Sequence, residues 1–252
     1  AIDGHRNDNY STMLYVTKDF GQTWTSIVSD LPKDEPVNVI REDIKNKNLL
    51  FAGTEFGFYL TFNGGGHWTK FNSGIPVVAV DDIAIHPRDL DLIIATHGRS
   101  IFIMDDIRPL EETTPDALKS DLHLFSVRPA WEFYFTPRGE FAGSGDFKAA
   151  NPPFGAYISF YVKSFTGDNY SVSITDGGGK TVRTLSGPAI PGINRVVWNL
   201  QSQPQEGEDG SGFGGQPKFV KPGEYTVTVA VGKNKQSGKM IVKAVDGLQI
   251  ED

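Results

Sequence analysis

Cysteine is absent from the 252 residues. Disulfides and thiolate-held metals are excluded with it. No run of about 18 apolar residues occurs, so nothing in the sequence reads as a membrane-spanning helix. Lys and Arg number 24 against 31 Asp and Glu, for a net charge of −7, and the cations are scattered. Phosphate backbones call for clustered cations, so nucleic acid is not an expected partner. No signal-peptide pattern is visible. The chain starts at Ala1 rather than Met, which reads as a processed or truncated product whose lost part held an export signal. The five His (His5, His67, His86, His97, His123) show neither H-x-x-x-H nor H-E-x-x-H spacing, and G-x-S-x-G, P-loop and dinucleotide fingerprints are missing. No metal and no cofactor are expected.

The 28 Gly and 15 Pro are many for a helical protein. They suit short strands joined by tight turns. Internal repeats support this. Thr17-Lys18-Asp19-Phe20-Gly21-Gln22-Thr23-Trp24 is echoed 44 residues later by Thr61-Phe62-Asn63-Gly64-Gly65-Gly66-His67-Trp68. Val37–Ile40 matches Val80–Ile83 at an offset of 43, and the match continues from Leu49–Gly53 to Leu92–Ala95. Phe56-Gly57 then aligns with His97-Gly98. A period of about 43 residues, with four short strands per unit, is that of a β-propeller blade. Strands are expected at 37–40, 48–53, 57–62, 67–71, 80–85, 92–96 and 100–104.

The octapeptide fits the Asp box, S/T-x-D-x-G-x-T-W. Asp19, Gly21, Thr23 and Trp24 match in full; Asn63, Gly65 and Trp68 form a degenerate second copy. The Asx side chain bonds its own turn, Gly supplies positive φ and Trp covers the hairpin. On these residues the chain resembles the bacterial neuraminidase-repeat (BNR) family, which includes sialidases, xyloglucanases and sortilin-type receptors. Ala95-Thr96-His97-Gly98-Arg99-Ser100, followed by an apolar strand and Asp105-Asp106, also resembles the end of such propellers. The resemblance implies an all-β fold: propeller blades over 1–107, a bridge and linker over 108–153, and an immunoglobulin-like sandwich over 154–247. Pro222-Gly223-Glu224-Tyr225-Thr226-Val227 and Asn194–Asn199 resemble the strands of bacterial Ig-like domains of the flagellar hook-cap and secreted-enzyme-tail types. Six or seven sandwich strands are expected, with a turn at Asp176–Gly179 and a Gly-rich acidic loop over Gln201–Lys218. A short helix is expected from Thr114 and Pro115, with strands at 122–127 and 131–135.

About two and a half blades fit into 1–107, whereas closed propellers need about four to eight. The remaining blades are therefore expected on a removed N-terminal portion or on a second chain.

The functional candidates are few. Asp105 and Asp106 carry the acid–base chemistry of glycosidases, but adjacent strand residues point to opposite faces and cannot pair. His97 and Arg99, taken as the start of an inner strand, would both face the propeller channel, where Arg grips a carboxylate or phosphate. The structural alternative pairs Arg99 with Glu55 or Asp82. Arg41, Arg88 and Arg99 sit at unlike repeat positions, so a sialidase-type Arg triad is not supported. Trp131, Phe133, Tyr134 and Phe135 form either a sugar-stacking platform or a domain-junction seal. Asn9-Tyr10-Ser11 and Asn169-Tyr170-Ser171 fit the glycan acceptor pattern by chance in a bacterial chain. The expected role is a secreted, periplasmic or cell-surface bacterial propeller that binds protein, peptide or glycan without catalysis. The alternative is a glycoside hydrolase completed by the absent blades.

Overall fold

The computed structural model describes residues 1–132, 152–164, 167–203 and 219–244. Strands take 46% of the chain and helices 6%, which makes the fold all-β. Two compact units divide it, 1–114 and 115–252.

The first unit is three successive blades. The first contributes the hairpin β1 (Tyr15–Val16) and β2 (Thr25–Ser26). The second is a complete antiparallel meander of β3 (Val37–Glu42), β4 (Leu50–Thr54), β5 (Gly57–Thr61) and β6 (Thr69–Lys70). The third holds β7 (Val80–Ile85), β8 (Leu92–Thr96) and β9 (Ile101–Met104). After β9 the chain turns into α1 (Arg108–Glu111), so this blade has no fourth strand among the described residues. The octapeptides join the third strand of a blade to its fourth. In the first, Thr17 Oγ1 donates to Asp19 Oδ1 at 2.9 Å and accepts from Gly21 N at 2.8 Å. Asp19 also accepts Thr23 N at 2.8 Å and Thr23 Oγ1 at 2.5 Å. Phe20 and Gly21 both take positive φ. Asn63 repeats this pattern, accepting Thr61 Oγ1 and His67 N at 2.8 Å each.

The Thr23 hydroxyl and amide hold the Asp19 carboxyl down at about 2. Its folded value lies below that of an unfolded Asp, so this bonding contributes above about pH 4 and is lost as pH falls through about 2. A carbon NMR titration of Asp19 should show a midpoint near 2, and a midpoint near 4 would contradict the bonding scheme. The Asn63 turn has no such titration.

The register corrects one expectation. Asp43 to Leu49 closes the β3–β4 turn, and His86 to Asp91 closes the β7–β8 turn one residue sooner. Leu50, Ala52 and Thr54 therefore correspond to Leu92, Ile94 and Thr96, an offset of 42 rather than 43. Such a slip exchanges the two faces of a strand. The corrected faces agree with the packing. Leu50, Ala52, Tyr59 and Trp68 bury against Leu14, Leu31 and Ile27 of the preceding blade. Phe51, Phe58 and Leu60 bury against Ile83, Leu92 and Ile94 of the following one. Gly53 is needed at that second interface, since a Cβ there would meet Val80 Cγ1 at 2.5 Å.

The second unit opens with α2 (Pro115–Lys119) and is a two-sheet sandwich. One sheet orders β10 (Leu122–Leu124), β12 (Ala156–Val162) and β15 (Gly192–Trp198). The other orders β11 (Ala130–Glu132), β17 (Asn234–Ala244), β16 (Gly223–Val231), β13 (Asn169–Thr175) and β14 (Thr181–Pro188). Residues 122–132, read from sequence as part of the bridge, thus supply two strands. β11 pairs in parallel with β17, which brings the count to eight among the described residues. Inward residues alternate with outward ones on β16, as expected for a sheet with one covered face. Trp198 is fully buried at the centre. Its Nε1 donates to Gln201 O at 2.9 Å, and its ring meets Tyr225 edge-on at 5.6 Å. Tyr225 donates from its hydroxyl to Lys221 O at 2.6 Å, locking the Pro-Gly-x-Tyr strand start. Asp176 Oδ1 accepts Gly178 N and Lys180 N, shaping the β13–β14 turn. Phe133, Tyr134, Phe135, most of the 139–153 linker and 204–218 of the acidic loop lie outside the described residues.

Candidate functional site

Antiparallel order places the β4–β5 turn (Glu55, Phe56) and the β8–β9 turn (His97 to Ser100) at one end of adjacent blades. The octapeptide turns and Asp105 lie at the other end. β9 separates the two sets of candidates by about 13 Å of strand. His97 and Arg99 therefore share no site with Asp105 and Asp106.

His97 and Arg99 are not on a strand. They occupy a hairpin loop in which Gly98 and Ser100 take positive φ, and Thr96 Oγ1 donates to Ser100 O at 2.7 Å. The alternation argument for channel-facing side chains fails for that reason. His97 N donates to Ala79 O at 2.9 Å, and its ring lies 3.5 Å from Asp81 across a solvent-exposed gap. Arg99 is exposed and makes no ion pair among the described residues. Asp82, offered from sequence as its partner, is taken by Arg41. The Arg41 guanidinium donates to Asp82 Oδ1 and Ile83 O, both at 2.7 Å. This ties the innermost strands of two blades together. The rim at this end thus presents Glu55, Phe56, Asp81, His97 and Arg99 to solvent.

At the opposite end, Asp106 is buried, is ion-paired with Arg108, and donates from its own amide to Asp91 Oδ1 at 2.9 Å. It anchors α1 against the blade. Asp105 sits half-buried beside it.

One chemically suggestive group escaped the sequence reading. Glu35 is buried and accepts hydrogen bonds from Thr54 Oγ1 and, at 3.1 Å, from the Tyr59 hydroxyl. Burial first, then the Glu35 charge, pushes the Tyr59 phenol far up. A phenol held protonated is a poor nucleophile, so the group works as a fastener between the 32–36 loop and the second blade. The only sequence signal was an acid in a Pro-flanked loop, Asp34-Glu35-Pro36. Asp43 and Glu111 are two further buried acids. Asp43 Oδ2 accepts the Lys45 and Asn46 amides, and Lys45 Nζ reaches Glu111 at 3.1 Å. They tether α1 to the β3–β4 turn.

No family model matches the chain, and no curated protein matches it. Among solved structures, the extracellular domain of a putative hybrid two-component system from B. thetaiotaomicron aligns with it at 9% identity and a TM-score of 0.31. The alignment covers 93% of this chain and 29% of that one, so the chain spans less than a third of that protein's length. No helix among the described residues is long and apolar enough to cross a membrane.

Proposed function

We propose that the chain is the terminal part of a BNR-type propeller, secreted or displayed at a bacterial surface, that binds a protein, peptide or glycan without catalysis. The Ig-like sandwich then serves for attachment or spacing. The observation that carries the reading is the separation of chemistry between the two blade ends. Asp106, at the octapeptide end, holds α1, while the exposed rim offers Arg99, the His97–Asp81 pair and Phe56. Such a rim suits recognition, with Arg99 gripping an anionic group of the ligand and Phe56 covering an apolar or sugar face. Loops carried on rigid blades are the usual place for it. No specific observation at the rim favours the glycoside hydrolase alternative.

An array of acidic glycans and peptides tests this. Binding should fall at least tenfold in Arg99→Ala and measurably in His97→Ala, with the melting temperature unchanged because both side chains are exposed. Hydrolysis of a glycosidic or peptide bond by the protein, abolished by Asp105→Ala, would overturn the reading.

A further inference from the structure

The repeat supplies an internal control for what covers a blade. Trp68 is 5% exposed, and its Nε1 donates at 2.8 Å to the backbone oxygen of Ile27, just past the fourth strand of the preceding blade. Asp30 accepts Trp68 N at 2.8 Å, and Ser29 donates to Gly66 O. Trp24 stands at the same position of the preceding octapeptide, yet it is 61% exposed. Its neighbour Tyr15, the counterpart of buried Tyr59, is exposed as well. Trp24, Tyr15, Ile2 and Ala1 line a hollow of about 430 Å³.

We infer that the Trp24 face is a docking surface for the outer hairpin of a further blade of the same repeat type. That hairpin would bring an apolar residue with a free carbonyl, as Ile27 does for Trp68, and would carry its own Asx acceptor for the Trp24 amide. A second copy of this chain cannot supply it through its last blade. Among the described residues β7–β9 has no fourth strand for a counterpart of Ile27 to follow, and the chain enters α1 instead. This docking is independent of the ligand held at the rim.

The test uses the whole chain with Trp131 replaced by Phe. Of the four Trp, Trp68 and Trp198 are buried, so Trp24 is then the one exposed indole. A second copy of residues 1–44, with its own Trp24 replaced by Phe and fused ahead of Ala1, places an Ile27 copy 41 residues before the native Trp24, the spacing Ile27 has from Trp68. Tethering raises the local concentration of the hairpin to the millimolar range, about that of short flexible links. Acrylamide quenching of Trp24 should drop several-fold, and Ile27→Asp in the added copy should restore it. Should the added copy not fold, the unextended chain is titrated with a synthetic peptide of residues 11–34 in which Trp24 is replaced by Phe. The peptide should protect Trp24 saturably, and its Ile27→Asp form should not. Undiminished quenching with a folded extension, or with peptide at millimolar concentration, overturns the inference. Protection that grows with the concentration of the chain alone, at dimer mass, also overturns it, because a second copy would then be the occupant.

Discussion

Trp68→Ala is expected to destabilise the first unit by about 3–5 kcal/mol, the range for removing a large buried aromatic. The side chain is enclosed by Leu14, Leu31 and Tyr59 and makes an inter-blade hydrogen bond. Its deletion leaves both a cavity and an orphaned carbonyl. Trp24→Ala removes the same residue from the same turn and should cost less than about 0.5 kcal/mol in the isolated chain, as for an exposed site. Urea unfolding of the two variants side by side measures the difference. Equal losses would mean that both indoles are packed alike.

Trp198→Ala should be the most damaging single change in the second unit, again by about 3–5 kcal/mol. Trp198 is fully buried with Ile158, Phe160, Tyr225 and Val227 in the core between the two sheets. Trp198→Phe keeps most of the apolar volume but leaves Gln201 O without its indole donor, which points to a loss of about 1–2 kcal/mol. Amide exchange on β12, β15 and β16 would report both. Full protection of these strands in Trp198→Ala would show that the core does not depend on this ring.

The all-β fold and the blade-then-sandwich order were legible in the sequence because two local signals agree. The octapeptides mark third-to-fourth strand turns, and the strand runs are bounded by Gly, Asn, Asp and Pro. The strands at 37–42, 57–61 and 80–85 fall within a residue or two of their expected spans. Register was not legible. Apolar runs such as Leu49–Ala52 and Leu92–Ala95 match equally well at neighbouring offsets, and only the shorter His86–Asp91 turn settles which face is which. His97 and Arg99 were misplaced for a related reason. Gly98 was aligned with the strand residue Gly57, whereas β9 pairs Ile101 with Ala95 and leaves 97–100 as a loop. Strands β10 and β11 overlap the strands expected at 122–127 and 131–135, but their place in the sandwich was not legible, because the parallel pairing of β11 with β17 joins segments more than 100 residues apart. Asp106 is only a weak catalytic candidate by sequence, as one of two adjacent acids. Its partner, Arg108, lies only two residues on, and it is burial that makes the pair structural.

The third blade repeats the asymmetry seen at Trp24. Ile101 and Ile103 correspond to Phe58 and Leu60, which are buried by a following blade, yet they are 60% and 61% exposed. The two outer faces of the described blades are therefore bare, as the proposed closure by further blades requires. Hydroxyl-radical footprinting of the chain alone tests this most directly. Trp24, Ile101 and Ile103 should label readily while Trp68, Phe58 and Leu60 stay protected. Equal protection of the two sets in a monomer would contradict an open propeller wedge.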